Sequence, residues 1–240
     1  LEHGVLPVHG AMVAIRLKNK AAANIVIIGD SGAGKSETLE AFRQLAQEHI
    51  SDMDVIFDDM GSIDKDLTAF GTETGAFLRL DDLQTGYAFQ QMDRSIFMNP
   101  HLINARVILP VSTYKRIVQG TPVQYLLYAN NYEPVDESHP AVELFTSAEE
   151  ALPVFSEGKR MAKGTTTEKG LVASYFANPF GAPQRRTQHE ELAAKIMHTL
   201  FNHQVAVGQL RTQLGLSGWE HTGPQAAAEA LFKLISQRMR

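Results

Sequence analysis

Residues 29–36 read Gly29-Asp30-Ser31-Gly32-Ala33-Gly34-Lys35-Ser36, a complete G-x-x-x-x-G-K-S phosphate-binding pattern. The pattern follows the apolar run Asn24-Ile25-Val26-Ile27-Ile28 and opens the helix-forming stretch Glu37-Thr38-Leu39-Glu40-Ala41-Phe42-Arg43. Strand, glycine turn and helix start is the order that phosphate binding needs. The glycines let backbone N–H groups turn inward around phosphate oxygens, and the helix N-terminus adds partial positive charge. In a P-loop (Walker A) of this kind the lysine, Lys35, reaches the β- and γ-phosphates and the hydroxyl of Ser36 sits on Mg²⁺. The expectation is a nucleotide held along Gly29, Asp30, Ser31, Gly32, Ala33, Gly34, Lys35, Ser36 and Glu37.

The rest of the composition narrows the class. A chain of 240 residues, 44% hydrophobic and 20% charged, has the size and balance of one α/β domain with a sizeable core. The net charge of −5, with no run of Lys and Arg, argues against a nucleic-acid footprint. There is no cysteine, which excludes disulfides, Cys-ligated zinc and thiol catalysis. No apolar stretch approaches membrane-spanning length, so the expectation is a cytoplasmic protein without a membrane partner. The chain opens Leu1-Glu2-His3 rather than with methionine, and is expected to be a single nucleotide-binding domain, residues 1–240, forming the C-terminal part of a longer protein.

Hydrophobic patterning predicts a strand over residues 5–17, the strand before the glycine loop, a helix to about residue 49, and a strand over 53–57 that ends in Asp58-Asp59. Further strands are expected over 75–80, 105–111, 123–129 and 205–207, with few long helices between the middle ones, which points to a mixed sheet. A short helix after Ser147, a polar loop over 163–170, and helices over 189–202 and 224–239 complete the reading.

A phosphate-binding loop does not name a reaction. Its partner is an acidic residue at the C-terminal end of a neighbouring strand, and Asp58-Asp59 stands where such a pair belongs. The residues alone leave a metal shell, a catalytic base and a solvated acidic turn open for the pair. The histidines His101, His139, His189, His198, His203 and His221 are scattered without zinc-type spacing. Gln184-Arg185-Arg186 reads as a solvated cluster.

The stretch from Gly29 through Glu37-Thr38 resembles the P-loop of HPr kinase/phosphorylase. That family is structurally related to the C-terminal nucleotide domain of phosphoenolpyruvate carboxykinase. Both families place a histidine on the strand before the P-loop, matched by His9-Gly10, and follow the loop with a paired Asp-Asp, matched by Asp58-Asp59. In the carboxykinases that histidine binds Mn²⁺. Glu73-Thr74-Gly75-Ala76-Phe77-Leu78-Arg79 resembles the carboxykinase segment Glu-Gly-Gly-Cys-Tyr-Ala-Lys, with Arg79 in place of the lysine that faces the transferred phosphate. Asn104-Ala105-Arg106-Val107 is similar to Asn-Thr-Arg-Val, whose arginine stabilises charge on the γ-phosphoryl group. Residues 164–170 and Asn178-Pro179-Phe180-Gly181-Ala182-Pro183 resemble the adenine-side loop and the segment after it.

The resemblance implies an α/β P-loop domain of the carboxykinase/HPr kinase type, a mixed sheet flanked by helices, using ATP with Mg²⁺ and a second ion such as Mn²⁺. It implies catalytic roles for Lys35, Asp58, Asp59, Arg79 and Arg106, and metal contacts from Ser36, Asp59 and His9. The acceptor of the γ-phosphoryl group stays open between a small carboxylate and a phosphocarrier-protein serine, and a nucleotide-sensing module without efficient turnover is the third alternative.

Overall fold

The structure, a computed structural model, describes residues 1, 3–19, 21–46, 49–79, 106–162 and 168–238. Its strands are β1 (Leu6–Leu17), β2 (Ala22–Ile28), β3 (Ile50–Ile63), β4 (Thr68–Gly71), β5 (Gly75–Arg79), β6 (Arg106–Pro110), β7 (Thr121–Pro122), β8 (Tyr125–Asn130), β9 (Val142–Leu144), β10 (Lys159–Met161), β11 (Leu171–Ala173) and β12 (Ala206–Arg211). The helices are α1 (Lys35–Ala46), α2 (Tyr114–Gln119), α3 (Ala148–Glu157), α4 (Arg186–Asn202) and α5 (Thr222–Arg238).

Eight strands form one mixed sheet in the order β7-β4-β3-β1-β2-β8-β12-β9. β2, β8 and β12 run parallel, while β1 lies antiparallel to both β2 and β3. β2 is apolar throughout its second half because both its faces are covered, as central strands of such sheets require. Ile25 and Ile27 join the core under α1 and α5, and Val26 and Ile28 join the core under α3 and α4. The helices meet those faces with apolar residues at helical spacing, Ala193, Ile196, Met197 and Leu200 on α4 and Ala227, Ala228, Leu231 and Ile235 on α5.

α3 shows the local logic of a helix start and stop. The Ser147 side chain accepts from the N–H of Glu150, the Glu150 carboxylate accepts from the N–H of Thr146 at 2.8 Å, and Gly158 closes the helix in the left-handed region at φ 57°. That is a capping box at one end and a glycine stop at the other.

This topology assembles one edge. The parallel register Ile28↔Tyr128 and Tyr128↔Gln209 brings the C-terminal ends of β2, β8 and β12 out together. β1 delivers His9 to the same edge, and β3 delivers Asp58 and Asp59, paired with Ala11 and Gly10. Ligands of open α/β sheets bind at such carboxyl ends.

One expectation is corrected here. Asp58-Asp59 does not end its strand: β3 continues to Ile63, because the ladder with β1 runs on through His9↔Met60 and Leu6↔Ile63. Backbone pairing, rather than the apolar run, sets where that strand stops. No helix of the described residues is long and apolar enough to cross a membrane.

Candidate active site

Residues 29–34 leave β2 under the control of their neighbours. The N–H of Gly29 donates to the His9 carbonyl at 3.1 Å, which extends the β1–β2 pairing to the base of the loop. Gly32 and Gly34 take positive φ values of 76° and 96°. Gly34 is required twice over, since a Cβ there would lie 2.6 Å from Thr212 Oγ1 as well as in a backbone region that disfavours side chains. The loop then runs into α1, with the Thr38 N–H and Oγ1 both on the Gly34 carbonyl at 3.0 and 2.7 Å.

Lys35 is 5% exposed, an unusual burial for an ammonium. Its Nζ donates to the Asp30 carbonyl at 3.3 Å and lies 3.4 Å from Asp59 Oδ1. Asp59 Oδ1 is also 2.8 Å from His9 Nε2. Burial pushes the Asp59 carboxyl up, but the Lys35 charge and the His9 contact outweigh it and hold Asp59 well below the usual carboxylate range. Asp58 goes the other way. Its carboxylate accepts the Ser36 hydroxyl at 3.0 Å, and burial, opposed by Lys35, lifts its pKa to about 6.

The metal contacts expected of Ser36, Asp59 and His9 therefore divide into two pairs. Ser36 meets Asp58, and His9 meets Asp59 with Lys35 alongside. Glu37 follows in the first turn of α1. His9 is 1% exposed, and its Nδ1 donates to the Ala177 carbonyl at 2.6 Å. A carbonyl only accepts, so Nδ1 carries a proton, and Nε2 faces the Asp59 carboxylate. The aromatic ring of Phe180, 60% exposed, stands edge-on to His9 with centroids 5.6 Å apart.

Among the described residues, no group of three or more His, Cys, Asp or Glu side chains forms a metal cluster. The donors present still suit ions that keep water or phosphate oxygens in their shell. Ser36 and Asp58 offer hard oxygens of the kind Mg²⁺ takes, and His9 with Asp59 offers the nitrogen and oxygen that Mn²⁺ accepts.

Several contacts here carry no sequence signal. Asp30, 6% exposed, takes the N–H of Ser31 at 2.7 Å and the Nε of Arg160 at 2.9 Å, and Arg160 also reaches Glu168 at 2.7 Å. Asn131 donates to the Gly32 carbonyl at 2.9 Å, and Thr212 to the Ala33 carbonyl at 2.8 Å. Glu73, pushed above the carboxylate range by burial first, bonds the backbone of Asp59 and Met60. These contacts join residues far apart in the chain, which no local pattern reveals.

Arg79 and Arg106 stand opposite one another in the β5–β6 ladder. The side chains of both lie outside what the structure describes, as do residues 80–105 and 163–167, the latter being most of the expected adenine-side loop. His189, one of the histidines without zinc-type spacing, lies in α4. It is buried, shares a hydrogen bond of 3.0 Å between its Nδ1 and the Tyr175 hydroxyl, and is pushed below the usual histidine range by burial. His198, His203 and the Arg185-Arg186 pair are exposed. No protein-family model and no curated protein matches the chain.

Proposed function

We propose that the chain is a P-loop phosphotransferase domain of the phosphoenolpyruvate carboxykinase/HPr kinase type, binding ATP with Mg²⁺ and transferring the γ-phosphoryl group to a small carboxylate. The observation that carries this reading is the bond from the Ser36 hydroxyl to Asp58 at 3.0 Å. It joins the last residue of the loop pattern to the acidic strand residue that would share its Mg²⁺.

In this reading the N–H groups at the start of α1, with Lys35, take the phosphate oxygens. Ser36 and Asp58 hold Mg²⁺, which when bound neutralises charge on the β- and γ-phosphates. Lys35 remains beside Asp59 and stabilises the charge that spreads over the transferring group. Asp59 and His9 border the acceptor side and orient the nucleophile, and His9 can share a second divalent ion with Asp59. Arg79 and Arg106 share one register position of the β5–β6 ladder, and the family resemblance gives both a role at the transferred phosphate.

The choice of a carboxylate acceptor rests on Asp59. A carboxylate held well below its usual range is a weak base, and general-base efficiency follows basicity. A serine hydroxyl has to give up a proton to become a nucleophile, whereas a carboxylate oxygen does not. An acceptor that needs no general base therefore fits a weakly basic Asp59 better than a protein serine does.

The test is γ-phosphoryl transfer from MgATP, followed by ³¹P NMR, with a panel of small carboxylates and with an HPr-type phosphocarrier. Transfer to a carboxylate that Asp58→Asn and Lys35→Ala abolish supports the proposal. Transfer only to the phosphocarrier serine replaces it with the protein-kinase reading. Tight nucleotide binding with no transfer to any acceptor replaces it with a sensing module.

A further inference from the structure

A phosphate cradle works only if its peptide N–H groups point inward, and peptide planarity means that each inward N–H requires the preceding carbonyl to point outward. An outward carbonyl in a buried turn needs a donor to meet it. The loop of residues 30–34 has such donors from outside the G-x-x-x-x-G-K-S pattern. Asn131, one residue beyond β8, donates Nδ2 to the Gly32 carbonyl at 2.9 Å, and Thr212, one residue beyond β12, donates Oγ1 to the Ala33 carbonyl at 2.8 Å. Both side chains belong to fully buried residues.

Neither residue is there only to fill space. Asn131 is saturated, since its Nδ2 also meets the Met161 carbonyl at 3.0 Å and its Oδ1 takes the Met161 N–H at 2.7 Å. Its amide plane is locked by β10 before it reaches the loop. The Thr212 N–H donates to the Asn130 carbonyl at 2.8 Å, and the Thr212 side chain abuts the position that a Cβ on Gly34 would occupy. The Ala33 carbonyl and the Gly34 N–H belong to one peptide plane. Holding the first outward turns the second inward. The Ala33 N–H itself donates to the Asp30 carbonyl at 3.0 Å, so Asn131 acts on the loop by anchoring the Gly32 carbonyl.

We propose that Asn131 and Thr212 are positioning residues for polyphosphate binding: from the ends of two neighbouring parallel strands, Thr212 sets the inward direction of the Gly34 N–H and Asn131 anchors the Gly32 carbonyl of the same turn. The proposal rests on the P-loop reading above and adds to it that cradle geometry is imposed by β8 and β12, not by the glycines alone. Recognition through these groups is recognition of phosphate oxygens and is indifferent to the base. Thr212→Val keeps the shape against Gly34 and removes the donor, and Thr212→Ser keeps the donor and removes the methyl group.

The experiment is calorimetric titration of the full chain with MgATP and, separately, with magnesium tripolyphosphate, for wild type, Lys35→Ala, Thr212→Val and Thr212→Ser. Thermal unfolding and the ¹⁵N–¹H shift of Gly34 are followed alongside. The expected result is a loss of about tenfold in Thr212→Val, the scale of one hydrogen bond, equal for both ligands. The Gly34 amide shift moves in the same variant, and Thr212→Ser stays within about twofold of wild type on the same scale.

Wild-type affinity in a folded Thr212→Val, or a loss for MgATP that spares tripolyphosphate, overturns the proposal while Lys35→Ala still shows the site to be real. A lowered unfolding temperature with unchanged affinity and an unmoved Gly34 amide overturns it too, in favour of a purely structural role. Should Asn131 be needed to separate the two strands' contributions, Asn131→Asp removes the donor to Gly32 and is expected to weaken both ligands equally. Absence of binding in wild type overturns the P-loop reading itself and this proposal with it.

Discussion

His9 Nε2 lies 2.8 Å from Asp59 Oδ1 while the other ring nitrogen is committed as a donor to the Ala177 carbonyl. Nε2 has no aligned hydrogen-bond partner. A ring nitrogen this close to a carboxylate, on a histidine that is 1% exposed, requires a proton or a cation between the two. In the proposed function a divalent ion takes that proton's place at this pair once nucleotide is present. His9→Ala should weaken Mn²⁺ binding to the nucleotide complex by about 100-fold, the upper end for loss of even an outer-shell partner. Mn²⁺ titration followed by EPR checks this, and equal affinity in His9→Ala would remove His9 from the ion's shell.

The turn that holds His9 makes a second, more distant prediction. Phe176 and Ala177 both adopt left-handed backbone, at φ 56° and 50°, and the turn presses so closely on Gly158 that a Cβ there would lie 1.7 Å from the Ser174 carbonyl oxygen. Strain of this kind persists where the surroundings impose it. Gly158→Ala should displace the turn and the Ala177 carbonyl from His9. The expected outcome is a loss of Mn²⁺ affinity of about tenfold, the lower end for outer-shell partners, with MgATP affinity preserved. A loss of MgATP affinity of the same size would place the effect in general unfolding.

Asp58 and Asp59 are adjacent and have opposite pH signatures. The folded Asp58 carboxyl titrates near 6, raised by burial, so between about pH 4 and 6 the folded chain keeps a proton that the unfolded chain releases. Its contribution favours folding at low pH and is lost as pH rises through 6. Asp58→Asn should remove that slope and raise the melting temperature of the ligand-free protein at pH 7.5. The gain expected is roughly 1–3 kcal/mol, or about 2–10 °C for a chain of this size. Asp59 is held low, so its stabilising contribution is present above the unfolded pKa and is lost as pH falls toward and below it. Asp59→Asn should lower the melting temperature at pH 7.5, because Lys35 loses its carboxylate partner. Unfolding curves of both variants across pH 4–8 decide the matter, and shifts of the same sign would refute the split.

Arg160 and Asp30 form a buried pair, with side chains 10% and 8% exposed and Nε 2.9 Å from Oδ2. Removing one partner of such a pair leaves an uncompensated charge, at a cost of about 3–5 kcal/mol, while replacing both is close to neutral. Arg160→Met should destabilise the chain by that order, and Asp30→Asn in the same background should recover most of it. Denaturant unfolding of the two single variants and the double variant gives the coupling. Additive losses would show that the pair is not coupled.

The part of the fold that was legible in the sequence is the part built from local order. The apolar run into β2, the glycine loop and the start of α1 announce themselves because strand, turn and helix signals adjoin. The start of α3 follows from Ser147 in the same way, while its stop at Gly158 emerges from the structure. The extent of β3 was not legible, since Asp54, Asp58 and Asp59 interrupt its apolar pattern and only pairing with β1 carries it to Ile63. The short strands β7, β9, β10 and β11 and the mostly exposed α2 are shaped by neighbours rather than by their own residues. Within the site, Lys35, Ser36 and the aspartate pair sit in a motif, and His9 entered through a family resemblance. Arg160, Asn131 and Thr212 act across long stretches of chain on backbone carbonyls and a buried carboxylate, contacts that exist only once the sheet has formed.

The most direct test of the account is calorimetric titration of MgATP into the wild-type chain and into Lys35→Ala, with thermal unfolding of each as a check on folding. Lys35 is buried between the Asp30 carbonyl and Asp59 at the mouth of the glycine loop, the place where phosphates are expected. The account predicts saturable one-site binding in wild type and its loss, by about 100-fold or more for a charge-assisted contact in a shielded site, in a folded Lys35→Ala. No binding by wild type, or equal binding by the variant, would contradict it.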